Sequence, residues 1–251
     1  MLNIQELSNK IKNNPLIIHI NPIGLLRMGG DNADRFLNLN LMLNKVRDYG
    51  GNIAIPVYSY TYTKNEVYDI LNTPADLDEV SEFLRMNNKS KRTADANFSY
   101  LLFGDKFSNK HFKVSNYSSF GEGSLIEEVF NKDGYLGAIG GVLEYLTEIH
   151  FLERKLNINY RFDKDFYGTS IDANRCKVNN KITYFCRDLN LNYVNSFVQL
   201  KKDIKENDLI ETWTIPIYNL KIEVIKIRIL FNFIKKKLAV DPKYLCRYEE
   251  E

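Results

Sequence analysis

A histidine and a glutamate lie three residues apart in the segment Thr147-Glu-Ile-His150-Phe-Leu-Glu153. If this segment is helical, the two side chains share one face, because residues three apart are neighbours on a helix. An imidazole can accept a proton near neutral pH, and an adjacent carboxylate stabilises the imidazolium that forms. The sequence contains only 3 histidines, so this pair is the strongest candidate for a proton-handling site.

The other two histidines carry weaker signals. His19 ends a short apolar segment and is expected to be structural, at a strand end that borders the site. His111 lies between Lys110 and Lys113, which predicts a solvated loop. A single histidine is more often a hydrogen-bonded structural residue than a catalyst, so His150 needs support from the rest of the sequence.

The composition fits one domain over residues 1–251. Hydrophobic residues make up 44% of the chain, enough for a sizeable core. The 34 basic and 32 acidic residues give a formal net charge of +2, which argues against nucleic acid as a partner. Cys176, Cys186 and Cys246 lack the spacing of a zinc site or a disulfide framework, so we expect reduced thiols and no bound metal.

The hydropathy pattern predicts no membrane insertion. No segment reaches the roughly 18 uncharged apolar residues of a membrane span. The first residues lack the basic and apolar regions of a signal peptide. We therefore expect a cytoplasmic protein.

Hydrophobic periodicity predicts alternating helices and strands up to His150. Apolar residues at helical spacing predict helices, and short apolar runs bounded by Pro or Gly predict buried strands. In chain order the predicted elements are a helix over 3–14, a strand over 16–20, a helix over 34–49, a strand over 52–58, a helix starting at Asp76 or Asp78, a strand over 98–103, a helix over 124–130 and a strand over 135–142. This alternation predicts a parallel sheet covered by helices.

The pattern changes after about residue 163. Residues 181–185 and 192–199 have the composition of strands separated by polar turns, as in an antiparallel appendage. Residues 222–238 are predicted to form a helix with a basic end, closed by Asp241 and Pro242. The predicted fold class is α/β, with a mixed central sheet flanked by helices (α/β/α) and an antiparallel C-terminal appendage.

Four stretches, in this order, resemble the aminoglycoside 3-N-acetyltransferase family and its relatives that acylate amino sugars. Each matches the family in residue types and in spacing, and the segment around His150 is the most specific. The stretches are Ile17-Ile-His19 with Gly24; Gly50-Gly-Asn-Ile-Ala-Ile-Pro56-Val-Tyr-Ser59-Tyr60; Tyr68-Asp69, Thr73-Pro74 and Glu82-Phe-Leu-Arg85 continuing to Arg92-Thr93, Asp95, Phe98-Ser99 and Gly104; and Ser119-Phe120-Gly121-Glu-Gly-Ser124, Asp133-Gly134, Thr147 to Glu153 and Tyr160-Arg161. The resemblance covers about residues 15–168.

The resemblance implies an acyl-CoA-dependent N-acyltransferase with acetyl-CoA or another short acyl-CoA as co-substrate. The chain departs from the family after His19, where Ile20, Asn21 and Pro22 replace small hydroxyl residues, and at Asp95-Ala96, where the family has His-Pro. These departures favour an amino sugar, nucleotide-linked and destined for surface polysaccharide, as the acceptor. The alternatives are an aminoglycoside 3-N-acetyltransferase that acts on antibiotics and a non-catalytic relative that binds a sugar nucleotide or a partner protein.

Within this interpretation, His150 is the general base that prepares the amine for direct attack on the thioester. Glu153 is the nearest candidate for its carboxylate partner, while Glu122 and Asp95 are alternatives from other loops. Thr147 or a backbone N–H of residues 20–24 would stabilise the oxyanion. No cysteine falls in a matched stretch, so no acyl-enzyme is expected.

The remaining site residues divide between coenzyme and acceptor. Ser124, Arg92 and Asn21 are predicted to bind the coenzyme, Ser124 because a helix N-terminus suits a phosphate. Ser124 as an ordinary helix cap and Arg92 as support for its loop are the structural alternatives. Carboxylates attract an amine, so Asp69, Asp95 and Glu122 are predicted to bind the acceptor. A homodimer is left open, with residues 222–238 as its candidate surface.

Overall fold

The computed structural model describes residues 1–141 and 146–248 of the chain. Its helices are α1 (Ile4–Lys10), α2 (Asn32–Asp48), α3 (Glu79–Asn87), α4 (Leu125–Asn131), α5 (Ile149–Lys155), α6 (Val198–Glu206) and α7 (Ile227–Val240). Its strands are β1 (Leu16–Ile20), β2 (Ile53–Pro56), β3 (Tyr68–Asp69), β4 (Tyr100–Phe103), β5 (Tyr117–Ser118), β6 (Tyr135–Ile139), β7 (Arg161–Ile171), β8 (Lys177–Arg187), β9 (Tyr193–Asn195), β10 (Glu211–Ile215), β11 (Leu220–Lys226) and β12 (Cys246–Tyr248). None of the helices in these two ranges combines the length and the apolar character that crossing a bilayer requires.

A six-stranded mixed sheet forms the centre of the fold, in the order β10-β11-β6-β1-β2-β4. Strand β1 lies parallel to both β2 and β6, whereas β4, β10 and β11 pair with their neighbours in the antiparallel direction. The mixed sheet confirms the predicted fold class.

Two apolar cores lie on opposite faces of this sheet. Along β1, Leu16 and Ile18 belong to the core shared with α1, α2 and α3, whereas Ile17 belongs to the core shared with α4, α5 and α7. Side chains alternate between the two faces of a strand, so a strand covered on both faces becomes a continuous apolar run. That is why the first strand was recognisable in the sequence.

The C-terminal third forms two smaller sheets and then returns to the central one. Strands β7 and β8 pair along 11 residues and are flanked by β3 and β5, while β9 pairs with β12. The predicted strand over 192–199 is wrong in its second part, because β9 ends at Asn195 and α6 begins at Val198.

The predicted helix over 222–238 is also wrong in its first part. Ile222 and Val224 are buried in one core by pairing β11 with β6, a period-2 burial that a strand produces. The helix α7 begins only at Ile227. The two polar residues within 222–227, Glu223 and Lys226, are three apart, as on one face of a helix, so the sequence periodicity favoured a helix for this segment.

The carboxyl ends of β1, β2 and β6 meet at one edge of the central sheet, the place where open α/β sheets bind their ligands. Two glycines close this edge. A Cβ atom on Gly24 would lie 2.6 Å from the Cα atom of Gly140, so the segments after β1 and β6 touch through bare backbone. Val142, the last residue of the predicted strand over 135–142, lies outside the described residues.

Candidate active site

The structure brings His150 and Glu153 together on the first turns of α5. Nδ1 of His150 lies 2.7 Å from Oε2 of Glu153. The glutamate side chain is 0% exposed, whereas the imidazole keeps 13% of its surface exposed. A buried carboxylate therefore holds one ring nitrogen, and the ring itself remains accessible.

Glu153 is ionised because several donors surround it. The Tyr160 hydroxyl donates to Oε1 at 2.9 Å, the Asn195 amide donates to Oε1 at 3.0 Å, and Nε of Arg161 lies 3.1 Å from Oε2. Burial alone would raise the pKa of Glu153, but the hydrogen bond and charge of His150, with Arg161 and Tyr160, lower it below the usual value. The structure thus places the His150 imidazole beside an ionised carboxylate.

The other ring nitrogen of His150 has one long contact. Its Nε2 lies 3.4 Å from Nη2 of Arg161, which donates a much shorter bond of 2.5 Å to Oδ1 of Asn195. His150 and Arg161 line a cavity of about 560 Å³, which we call the basic cavity; its other lining residues are Leu146, Thr147, Asn195, Ser196, Phe197, Val198, Lys201 and Arg247. Nε2 is therefore the nitrogen that a substrate can approach.

A second histidine–glutamate pair lies at the end of β1. Nε2 of His19 lies 3.0 Å and 2.9 Å from the two oxygens of Glu148. As in the first pair, the glutamate side chain is 0% exposed and the histidine side chain 13% exposed. Sequence analysis identified His19 only as a structural residue, and it gave Glu148 no role.

Two tyrosines complete the surroundings of Glu148. The hydroxyls of Tyr58 and Tyr100 lie 3.1 Å and 2.8 Å from its Oε1 and 2.8 Å from each other. Burial alone would raise the pKa of Glu148, but the charge and hydrogen bond of His19, with the Tyr100 hydroxyl, lower it. Burial and the glutamate charge raise the pKa of both tyrosines, so both hydroxyls stay protonated.

His19 lines a smaller cavity of about 270 Å³, which we call the tyrosine cavity. Its other lining residues are Ile20, Ile55, Pro56, Tyr58, Tyr60, Leu77, Asp78, Ser81 and Thr147. Thr147 lines both cavities. On a helix, positions 148 and 153 point about 140° apart. Glu148 at the N-cap of α5 and Glu153 within it therefore reach different sides, and each contacts the histidine of one cavity.

A cavity of about 920 Å³, larger than either of these two, lies elsewhere, beside Met1 and Tyr49. None of its lining residues is a histidine or a cysteine. Its size therefore does not make it the reaction site.

The third histidine is part of the interior. His111 is 1% exposed, so the predicted solvated loop is wrong. Its Nε2 lies 2.7 Å from Glu128 and its Nδ1 lies 3.0 Å from the Tyr117 hydroxyl. Both ring nitrogens are occupied, which gives His111 a structural role.

The predicted acceptor-binding carboxylates are not gathered around His150. Asp95 is 3% exposed and accepts hydrogen bonds from the backbone N–H groups of Asn97 and Phe98. Asp69 stabilises its own turn and pairs with Arg175 at 2.6 Å. Glu122 is exposed on a loop. Of the three carboxylates proposed as partners of His150, only Glu153 contacts it.

The predicted coenzyme-binding residues also have local partners. The Ser124 side chain caps α4 by accepting from the N–H of Glu127, and the Asn21 side chain accepts from the N–H of Ile23. Arg92 is 1% exposed. Its guanidinium donates to Ser99, Thr73 and Val57, so the geometry favours the alternative that Arg92 supports its loop.

Comparison with protein-family models gives the assignment that the geometry alone leaves open. Residues 45–239 match the model of the aminoglycoside 3-N-acetyltransferase family. The chain belongs to this family. The family match confirms the predicted family and the predicted acyl-CoA-dependent N-acyltransferase class.

Solved structures of similar fold include several acetyltransferases. AAC-VIa with bound sisomicin shares 16% identity at a TM-score of 0.71, covering 95% of this chain and 98% of that one. AAC-IIIb in binary complex with CoASH shares 16% identity at a TM-score of 0.68, covering 95% and 97%. The YokD protein from Bacillus subtilis shares 14% identity at a TM-score of 0.63, covering 96% and 94%. No curated protein sequence matches the chain.

Proposed function

We propose that this member of the aminoglycoside 3-N-acetyltransferase family transfers an acetyl group from acetyl-CoA to an amine of an amino sugar, with His150 as general base. One observation carries the proposal. A buried, ionised Glu153 holds Nδ1 of His150 at 2.7 Å while the ring opens onto the basic cavity. A histidine held in this way is poised to accept a proton from an attacking amine.

The hydrogen bond to Glu153 determines which nitrogen of the neutral ring carries the hydrogen. Because Glu153 is ionised, Nδ1 carries the hydrogen and Nε2 keeps its lone pair. As the amine nitrogen attacks the thioester carbon, Nε2 takes the proton that the nitrogen releases. No cysteine is among the described residues that line either cavity, which supports direct transfer without an acyl-enzyme.

The basic cavity suits the coenzyme. Lys201 and Arg247 supply positive charge for phosphate groups, and Phe197 and Val198 supply apolar surface for the pantetheine arm. The structural neighbour AAC-IIIb was solved with CoASH. Thr147, which lines both cavities, is proposed to donate to the thioester oxygen where donor and acceptor meet.

The family assignment supports an aminoglycoside as the acceptor, as does the neighbour AAC-VIa, solved with sisomicin. A second candidate is an amino sugar with one amine, nucleotide-linked and used for surface polysaccharide. The charge of the tyrosine cavity, where the acceptor is expected to bind, favours it. Among the described residues that line this cavity, Asp78 is the one carboxylate, whereas a polycation is attracted by a strongly acidic cleft.

The test is an acceptor panel with purified protein and acetyl-CoA, following thiol release and product mass. The panel contains sisomicin, apramycin and nucleotide-linked amino sugars, and His150→Gln is run in parallel. Turnover that His150→Gln loses supports the proposal, and the accepted substrate decides between the two acceptor classes. A folded protein that releases no thiol with any acceptor contradicts the proposal and favours a binding role.

A further inference from the structure

Acylation of an ammonium requires two proton removals from the same nitrogen. The first exposes the lone pair before attack, and the second follows formation of the C–N bond. One of these protons ends on the sulfur of the coenzyme, and the other goes to solvent. One base beside the nitrogen accounts for one removal only, so a second acceptor is needed on the side from which the amine enters.

His19 has the geometry of such an acceptor. Its Nε2 is held by the two oxygens of Glu148, and an ionised Glu148 requires the hydrogen to lie on Nε2. Within the described part of the chain no group bonds to Nδ1 of His19, and this nitrogen is not among the buried polar atoms that lack a partner. Because His19 lines the tyrosine cavity, Nδ1 is the ring nitrogen available to a ligand bound there.

The ionisable groups around His19 come from three segments. Glu148 precedes α5, Tyr58 follows β2 and packs edge-to-face on the imidazole with ring centres 6.3 Å apart, and Asp78 caps α3. Tyr60 lines the same cavity, and burial raises its pKa to about 12, so it stays neutral at pH 7. Among the described residues, the carboxylate of Glu148 contacts His19 and that of Asp78 belongs to the lining of the same cavity, and negative charges attract an ammonium.

We propose that His19, held by Glu148, is a second catalytic residue that removes the first proton of the acceptor ammonium. This inference rests on the proposed function. The N–H bond breaks, the proton moves to Nδ1 of His19, and the freed lone pair forms the C–N bond with the thioester carbon. Nε2 of His150 takes the second proton. When the C–S bond breaks, the electron pair goes to sulfur, which receives that proton from His150, while His19 releases the first proton to water.

The position of Thr147 places the two histidines on either side of one reaction point. Thr147 lines both the tyrosine cavity, which contains His19, and the basic cavity, which contains His150. An amine held in the first cavity thus meets a thioester held in the second. The volume of the tyrosine cavity, about 270 Å³, suits one sugar ring rather than several.

The experiment compares His19→Gln with His150→Gln across pH, using the acceptor that the wild-type protein acetylates. At pH 7 we expect kcat/KM for the acceptor to fall about 10²-fold in His19→Gln. That deficit shrinks as pH rises, by up to about tenfold per unit until the pKa of the acceptor amine is passed, because the solution then supplies free amine. The deficit of His150→Gln persists, because its proton is released only after attack.

Glu148→Gln is the second variant, since it keeps an acceptor beside His19 but removes the charge. We expect kcat/KM of Glu148→Gln to show the same pH-dependent deficit as His19→Gln, but a smaller one. His111→Gln is the control, with the free energy of unfolding measured for every variant. A His19→Gln protein that folds and has either full activity or a loss equal at all pH values overturns the inference. A wild-type protein without turnover contradicts the proposed function instead.

Discussion

His150–Glu153 and His111–Glu128 are built from the same residue types at the same separation, 2.7 Å in both pairs. They differ in the access of the second ring nitrogen. The second ring nitrogen of His111 is hydrogen-bonded to the Tyr117 hydroxyl, and the His111 side chain is 0% exposed. The His150 side chain is 13% exposed and lines a cavity. A short hydrogen bond to a carboxylate is therefore common to structural and reactive histidines. What distinguishes them is whether the second ring nitrogen is bonded within the protein or accessible to a ligand.

The burial of the carboxylates is reversed between the two pairs. Glu153 is 0% exposed beneath its histidine, whereas Glu128 is 11% exposed and also pairs with Lys132 at 2.6 Å. In the first pair the glutamate is interior and the histidine faces the cavity. In the second the histidine is interior and the glutamate links it to the surface, as expected of a pair that stabilises the fold.

The largest effect should come from Glu153→Gln. The amide cannot stabilise an imidazolium on His150, so we expect kcat per folded molecule to fall on the order of 10²–10⁴-fold. The free energy of unfolding should fall as well, because Arg161 loses its buried partner. Steady-state kinetics of Glu153→Gln and of Glu128→Gln, measured under the same conditions, tests this prediction. Equal losses of kcat in the two variants would remove the distinction between the pairs.

A smaller effect should distinguish two arginines according to whether the side chain lines a cavity. Arg92 is 1% exposed and donates to three acceptors, whereas Arg161 lines the basic cavity. We expect Arg92→Met to lower the free energy of unfolding by at least about 1–3 kcal/mol, because buried carbonyls lose their donors. Its KM for acetyl-CoA should equal the wild-type value once corrected for folded protein. A raised KM would restore the coenzyme-binding role predicted from the sequence.

The smallest effect concerns acid stability. Burial alone would raise the pKa of Glu128, but His111 and Lys132 lower it to about 2, from an ordinary value of 4.5. A lowered carboxyl pKa contributes stability above the ordinary value, and this contribution is lost as the pH falls toward the native pKa. The free energy of unfolding of Glu128→Gln should therefore fall less steeply than that of the wild type between pH 4.5 and about 2. Denaturant titrations at several pH values test this, and parallel curves would contradict it.

Much of the fold was predictable because its elements begin and end with local signals. Asp78 caps α3 and Ser124 caps α4, both at the positions that the sequence indicated. The strand–helix change at Ile227 was not predictable, because pairing of β11 with β6 decides it over a long sequence separation. At this position the pairing of two strands that are distant in sequence overrides the local conformational propensity.

The site was predictable only where its residues are close in sequence. His150 and Glu153 share one helical turn, so their spacing revealed them. Asn195 and His19 reach their glutamates from 42 and 129 residues away. Glu148 lay inside the recognised segment without a signal of its own, because nothing in a single sequence shows that Tyr58 and Tyr100 would surround it.

The seven-residue helix α5 is a partition between the two cavities, since Glu148 at its start and Glu153 within it reach different sides. One inserted or deleted residue between them would turn the later position by about 100° relative to the earlier one. A single change of length would then disconnect one histidine from its carboxylate whatever residue were chosen. The distance along the chain between these glutamates is accordingly a stricter requirement than the identity of the residues that separate them.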